Sequence, residues 1–343
     1  MAHLIDWHSH FLPRKFVDLL RSRTLPPQIK LNDSGQEVRI NEPGGAGQVL
    51  KPVFITIEER LRANDAAGVE RQILSLPGLG GDDLPVNEVL LLAQSFNDGI
   101  SRVVAAHPDR FSALATLPWT DVRVAAAELE RAHRDLGLLG AIVPVDALLS
   151  IESAREILPV LEVAERWRSH LFIHPGSWRG SRSPAAAKDD GVPFRSTVID
   201  LQGRIASAFA TLAYSDLLKP FPSVSVQIAN LGGALPFYVD RLLNVAHERH
   251  LPDPITPLRR FYVDTGSQGT RSVELAASVL GADRLLFGTD DPVFSLAANA
   301  RSIDVTSLRP EQKRQILSEN GRALLGRPRR GVQPQPGTPA AVL

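Results

Sequence analysis

The chain contains no cysteine. That absence removes a disulfide framework, a thiol nucleophile and a thiolate metal site at once, so any bound metal must rest on His, Asp or Glu. Charge of one sign is not in excess either, since 38 Lys plus Arg offset 38 Asp plus Glu. A neutral balance argues against nucleic acid or an anionic membrane as the main partner, because both require a strong basic surplus. The arginines near the C-terminus (Arg327, Arg329, Arg330) read as a solvated tail. Long apolar runs are missing as well. No stretch approaches the ~18 uncharged apolar residues of a membrane span, and Met1 to Trp7 lacks the basic and apolar regions of a signal peptide. A soluble, cytoplasmic protein is expected.

What is present is enough for a large core: 343 residues, 43% hydrophobic and 22% charged. The length suits one α/β barrel, which runs to about 250 residues or more. Short β-branched runs recur at 3–8, 69–76, 111–117, 140–145, 170–174, 224–230, 261–265 and 284–289. Amphipathic stretches at 86–106, 122–136, 151–167, 198–218 and 272–280 separate them. Asp121 is placed to cap the stretch from Val122, with Gly137 after its last turn. Eight strands alternating with helices predict an α/β protein, and eight is the number that closes a (β/α)8 TIM barrel. The rival, a doubly wound open sheet, wants a Gly-rich turn after its first strand, where this chain reads HSHFLP. The barrel is expected over residues 1–326, with a small insertion after the first strand at about 11–56. Within the insertion, Gln28 to Ile40 reads as a hairpin turning at Asn-Asp-Ser-Gly. Residues 327–343, rich in Pro, Gly and Arg, are expected to be disordered.

The chemistry begins at Asp6-Trp7-His8-Ser9-His10. Residues two apart on a strand share a face, so His8 and His10 project together and suit a divalent metal. The run His170-Leu-Phe-Ile-His174 also ends in histidine, and Arg284-Leu-Leu-Phe-Gly-Thr-Asp290 ends in a carboxylate. A barrel assembles its active site from the C-terminal ends of separate strands. His8, His10, His174 and Asp290 would then converge as three nitrogens and one oxygen. That set fits zinc and accommodates iron, manganese or cobalt. His107, His133, His247 and His250 read as structural or surface residues, and His170 opens its strand, at the end of the barrel away from chemistry.

The segments IDWHSHFLP, AAHPDRFSALATLP, LFIHPG, ANLGGALPFYVDRL, RFYVDTGS, LLFGTDDPVF and ENGRALLG run in that order from about residue 3 to residue 326. Together they resemble the amidohydrolase-related, decarboxylase-like group of the amidohydrolase superfamily, which includes aminocarboxymuconate-semialdehyde and resorcylate decarboxylases. The resemblance implies a metal-dependent (β/α)8 barrel, commonly a homodimer, with His8, His10, His174 and Asp290 at the ligand positions. It implies one divalent ion, zinc first, with manganese or iron as alternatives. The group's His-Gly-Gly-Gly-Ala-x-Pro segment stands here as Asn230-Leu231-Gly232-Gly233-Ala234-Leu235-Pro236. Asn230 thus replaces a histidine that helps to activate metal-bound water or shuttle a proton; an amide can orient or hydrogen-bond a ligand but cannot shuttle a proton at neutral pH.

Three consequences stay open: Asp290 serves as both ligand and proton carrier, Asn230 holds a substrate oxygen, or the chemistry has diverged. Decarboxylation of a small aromatic or unsaturated carboxylic acid is the first functional expectation. The second is metal-dependent hydrolysis of a lactone, amide or thioester, and the third is a barrel that only binds. Lys51 in the insertion, and Arg179 and Arg182 after the fifth strand, are candidate anchors for an acidic substrate. Trp178 and Phe294 are candidates for an aromatic wall, and Asp291 would either support the site or repel an anion.

Overall fold

The computed structural model describes residues 3–43, 45, 47–81, 83–178 and 191–328. Eleven strands occur among them: β1 (Leu4–His10), β2 (Gln28–Leu31), β3 (Glu37–Ile40), β4 (Gln48–Val49), β5 (Val69–Ser75), β6 (Phe111–Ala113), β7 (Gly140–Pro144), β8 (His170–His174), β9 (Ser225–Ile228), β10 (Tyr262–Asp264) and β11 (Leu285–Leu286). Parallel ladders join β1, β5 and β6 in one run and β7 through β11 in order in another. Two further contacts close the ring. A parallel bridge joins Ala115, just past β6, to Ala141 of β7. On the other side Trp7 N donates to Phe287 O at 2.8 Å and His10 N to Asp291 O at 2.8 Å, tying β1 to the segment leaving β11. Eight parallel strands therefore form the barrel, as the alternation of strand and helix signals predicts.

Helix boundaries follow local chemistry. The Asp121 carboxylate accepts from Arg123 N and Val124 N at the start of the helix Val122–Arg134. The predicted helix at 151–167 divides into Ile151–Glu156 and Leu158–Trp167. Pro159 lacks the amide hydrogen that a continuous helix needs at that point. Apolar packing lies in two places. A small cluster including Ile5, Trp7, Ile73, Phe172, Leu286 and Leu324 fills the ring of strands. A much larger cluster lies between strands and helices. Burial of each large apolar side chain contributes roughly 1.5–3 kcal/mol, so this double layer gives the strand ends a rigid base.

The insertion forms an antiparallel sheet of β2, β3 and β4. Asn32 Oδ1 accepts from Ser34 N at 3.0 Å and Gln36 N at 2.9 Å, which builds the predicted turn. Buried Arg39 donates to the carbonyls of Gly78 and Leu79, fastening this sheet to the loop after β5. The helix Ile57–Ala67 then returns the chain to the barrel. Its fully buried Arg60 pairs with Asp291 and donates to His10 O. Asp291 is therefore neutralised by a cation of the same chain rather than left to repel a substrate. Taking away one member of a buried pair strands the other charge, at a cost of about 3–5 kcal/mol. Asp291→Ala is accordingly expected to lower Tm by roughly 10 °C in calorimetry. An unchanged Tm would show that the pair does not hold this helix in place. Among the described residues, no helix is long and apolar enough to cross a membrane. Residues 329–343, most of the predicted tail, lie outside the described residues.

Candidate metal centre

Four side chains reach one point from three strand ends. His8 and His10 belong to β1, His174 ends β8, and Asp290 follows β11. The β1–β5 register slips between Asp6 and Ser9, an irregularity of the kind that re-aims side chains near active sites. Ligand atoms of His8, His10 and His174 lie within 4.8 Å of one another. His8 Nε2 faces His174 Nε2 at 3.2 Å. Asp290 Oδ1 lies 3.1 Å from His10 Nε2 and 3.7 Å from His8 Nε2. Asp290 holds a left-handed φ of 57°, and its N–H donates to His8 O at 2.7 Å. The strand that supplies two histidines thus also fixes the carboxylate.

The outer nitrogens are each held. His8 Nδ1 meets Asp264 Oδ1 at 2.9 Å, His10 Nδ1 meets Ser75 Oγ at 3.1 Å, and His174 Nδ1 meets Pro175 O at 3.0 Å. A partner on Nδ1 leaves Nε2 to point inward as a ligand, the usual support of metal-binding histidines. Asp264 is a residue that sequence reasoning missed. Its signal was available, since it ends a short β-run just as Asp290 does. Gly266 keeps its space clear: a Cβ there would lie 2.6 Å from His8 Nδ1 and 2.8 Å from Asp264 Oδ1.

Electrostatics sharpen the site. Burial alone would depress the His8 imidazole, but Asp264 and Asp290 together lift it to about 9. Burial holds His10 below the usual histidine range. Burial and the two neighbouring histidines push His174 well below it. Asp290 falls to about 2; burial opposes this, but His8 and His10 outweigh it. Two neutral imidazoles and an ionised carboxylate are what a divalent cation requires. His10 Nε2 is buried and has no hydrogen-bond partner among the described residues, its approach to Asp290 being close but not aligned. An orphaned nitrogen beside a carboxylate and two imidazoles fits a metal position. His8, His10, His174 and Asp290 are the residues that could hold the ion.

The remaining candidates are distributed around this cluster. Asn230 follows β9 with φ 54°, a conformation asparagine tolerates, and its N–H approaches Asp264 Oδ1 at 3.4 Å. Its Nδ2 is 3.5 Å from Ser267 Oγ, while Oδ1 is buried without a partner among the described residues. Gly233 lets this loop touch the helix Leu201–Tyr214, because a Cβ there would sit 2.3 Å from Gln202 O. Trp178 is buried beside Trp119, with ring centroids 5.8 Å apart, and Trp119 is a second aromatic that sequence reasoning passed over. Lys51 and Phe294 line a separate cleft of about 350 Å³ with Ala63, Ala67 and Asp291. There Lys51 Nζ donates to Pro292 O at 2.9 Å, and Phe294 is half exposed. Arg179 and Arg182 lie outside the described residues.

A family model described as amidohydrolase matches residues 5–327. The chain belongs to this amidohydrolase family. Among related amidohydrolases, a gamma-resorcylate decarboxylase of Rhizobium radiobacter is 27% identical over 305 residues, covering 82% of this chain and 91% of the relative. The 5-carboxyvanillate decarboxylase structure from Sphingomonas paucimobilis superposes with a TM-score of 0.73 at 22% identity, covering 94% of this chain and 99% of its own. A dihydroxybenzoic acid decarboxylase from Polaromonas sp., solved with bound manganese and the inhibitor 2-nitroresorcinol, gives 0.68 at 23% identity, covering 94% and 97%. The barrel observed here is the fold of these amidohydrolases.

Proposed function

We propose that this amidohydrolase is a metal-dependent, non-oxidative decarboxylase, a carboxy-lyase of a small aromatic carboxylic acid. The observation that carries the reading is the cluster of His8, His10 and His174 within 4.8 Å, with the ionised Asp290 against it. The decarboxylase relatives and the manganese in one of them support it. One divalent ion is proposed, zinc by its fit to three nitrogens and one oxygen, with manganese or iron as the alternatives. When bound, the ion would supply the positive charge that holds the substrate carboxylate and a neighbouring oxygen.

The chain's own groups do the rest. The reaction replaces a carbon–carboxylate bond by a carbon–hydrogen bond and releases carbon dioxide, so it consumes no oxidant. It needs one group to hand a proton to the carbon. Asp290 is ionised at neutral pH and brings no proton of its own, so it would relay one taken from water or from the substrate's hydroxyl, holding it weakly before the carbon takes it. Asn230 has no titratable proton to transfer; its Oδ1, without a partner among the described residues, is suited to orient a substrate hydroxyl. Trp178 with Trp119 offers an apolar wall for a planar ring. Lys51 and Phe294 stay in this reading as outer substrate contacts. A cytoplasmic homodimer completes it, supported by the exposure of Phe194, Ile199 and Phe237 in the segments after β8 and β9.

The test supplies the purified protein with zinc, manganese or iron and a panel of hydroxybenzoates, and follows carbon dioxide release. Release from at least one ortho-hydroxylated acid, abolished by chelation, is expected. Cleavage of lactones, amides or thioesters without carbon dioxide release would assign the barrel to hydrolysis instead.

A further inference from the structure

His170 sits at the opening residue of β8, four residues before His174 and fully buried. At ~3.3 Å per strand residue, that puts it about 13 Å down the barrel from His174. It nevertheless connects to the metal centre through an unbroken line of buried polar groups. His170 Nε2 meets Gln227 Oε1 at 3.0 Å, Gln227 Nε2 donates to Asp264 Oδ2 at 2.7 Å, and Asp264 Oδ1 meets His8 Nδ1 at 2.9 Å. Gln227 and Asp264 are, like His170, fully buried.

The direction of every hydrogen in this column follows from one member. Asp264 accepts at both oxygens, from Gly266 N and from Gln227 Nε2, so Gln227 turns its amide nitrogen toward it and His8 must offer hydrogen from Nδ1. The second hydrogen of that amide is taken by Trp7 O at 3.3 Å. Gln227 Oε1 is then committed to face His170, which must donate from Nε2 and leaves Nδ1 to meet Ser225 Oγ at 3.1 Å. Asp264 Oδ1 also receives Gly266 N at 2.9 Å, so the carboxylate is held from both sides. Were Gln227 to rotate, its oxygen would oppose Asp264 and the carboxylate would lose its 2.7 Å support.

We infer that His170 is a positioning residue for the metal centre: through Gln227 and Asp264 it locks His8 with Nδ1 protonated and Nε2 directed at the ion. This rests on the metal reading above. Groups that orient a metal-binding histidine are worth ~10–100-fold in metal affinity, and a more distant support is expected at the low end of that range.

The test measures manganese and zinc affinity of the metal-stripped full chain by chelator competition, alongside the Tm of the stripped protein. His170→Phe, which fills the space but donates nothing, is expected to weaken binding about tenfold. His170→Gln, whose amide can still donate to Gln227, is expected to stay within about twofold of wild type. A His170→Phe protein with lower Tm and unchanged affinity would overturn the inference. Should that variant fail to fold, nitrogen NMR of wild-type histidines decides. His170 protonated on Nε2 supports the column, and protonation on Nδ1 alone overturns it. If the wild type binds no metal, the metal reading fails by itself, while the NMR tautomer still reports on the column.

Discussion

Replacing His8 by alanine is expected to empty the metal centre and remove decarboxylation almost completely. His8 is the hub of the cluster: Nε2 faces His174 at 3.2 Å and Asp290 at 3.7 Å, while Nδ1 rests on Asp264. Its loss leaves two imidazoles and one carboxylate, short of the four donors in the proposed set. It also leaves Asp264 buried without the imidazole that now faces it. Electrostatic stabilisation by a bound cation is worth several kcal/mol, so a rate loss of about a thousandfold or more is expected. Metal analysis by plasma mass spectrometry should fall from about one ion per wild-type chain to near zero. Far-ultraviolet circular dichroism should stay close to wild type, because the large apolar layer between strands and helices does not involve His8. A His8→Ala protein that keeps both its metal and its carbon dioxide release would remove the cluster from the mechanism.

The architecture was legible because barrel strands advertise themselves. Each is a short apolar run, five of them followed by a stretch of clear helical period, and all eight predicted runs overlap an observed barrel strand. The ligand candidates were legible for a related reason: His10, His174 and Asp290 stand at or just beyond strand ends, where a closed parallel barrel directs side chains to one face. The supports were harder to see. Asp264, Ser75 and Gln227 act across strands that lie far apart in sequence, and only the register brings Ser75 opposite His10. The Asp291–Arg60 pair was hidden for the same reason, since 231 positions separate its members. Lys51 shows a different limit. Its place in the insertion suggested an anchor, while the structure gives its ammonium a backbone carbonyl at Pro292. Sequence position alone does not say which way a flexible cation turns.

Metal capture by the stripped protein is expected to strengthen steeply with pH, by about tenfold for each unit below 9. The metal-free centre keeps a proton on His8, whose pKa stands near 9 because Asp264 and Asp290 favour the imidazolium despite burial. The ion needs that nitrogen's lone pair, so it must displace the proton. His10 and His174 add no such barrier, as both lie below the usual histidine range. Asp290 is ionised throughout, with its pKa near 2. Between pH 9 and pH 6 the apparent affinity should therefore fall by roughly a thousandfold, with one proton released per ion bound. Stability must run the other way in the stripped protein. A folded pKa above the ordinary value near 6.5 means that the native state holds the proton more tightly than the unfolded chain. That contribution is complete below about pH 6.5 and is lost as pH rises toward 9. The loaded protein has no His8 proton to lose and gains from tighter metal binding over the same interval. Calorimetry of the two forms across pH 6 to 9 should give Tm slopes of opposite sign. Parallel slopes, or metal binding without proton release, would mean that His8 is already neutral and that Asp264 only orients the ring.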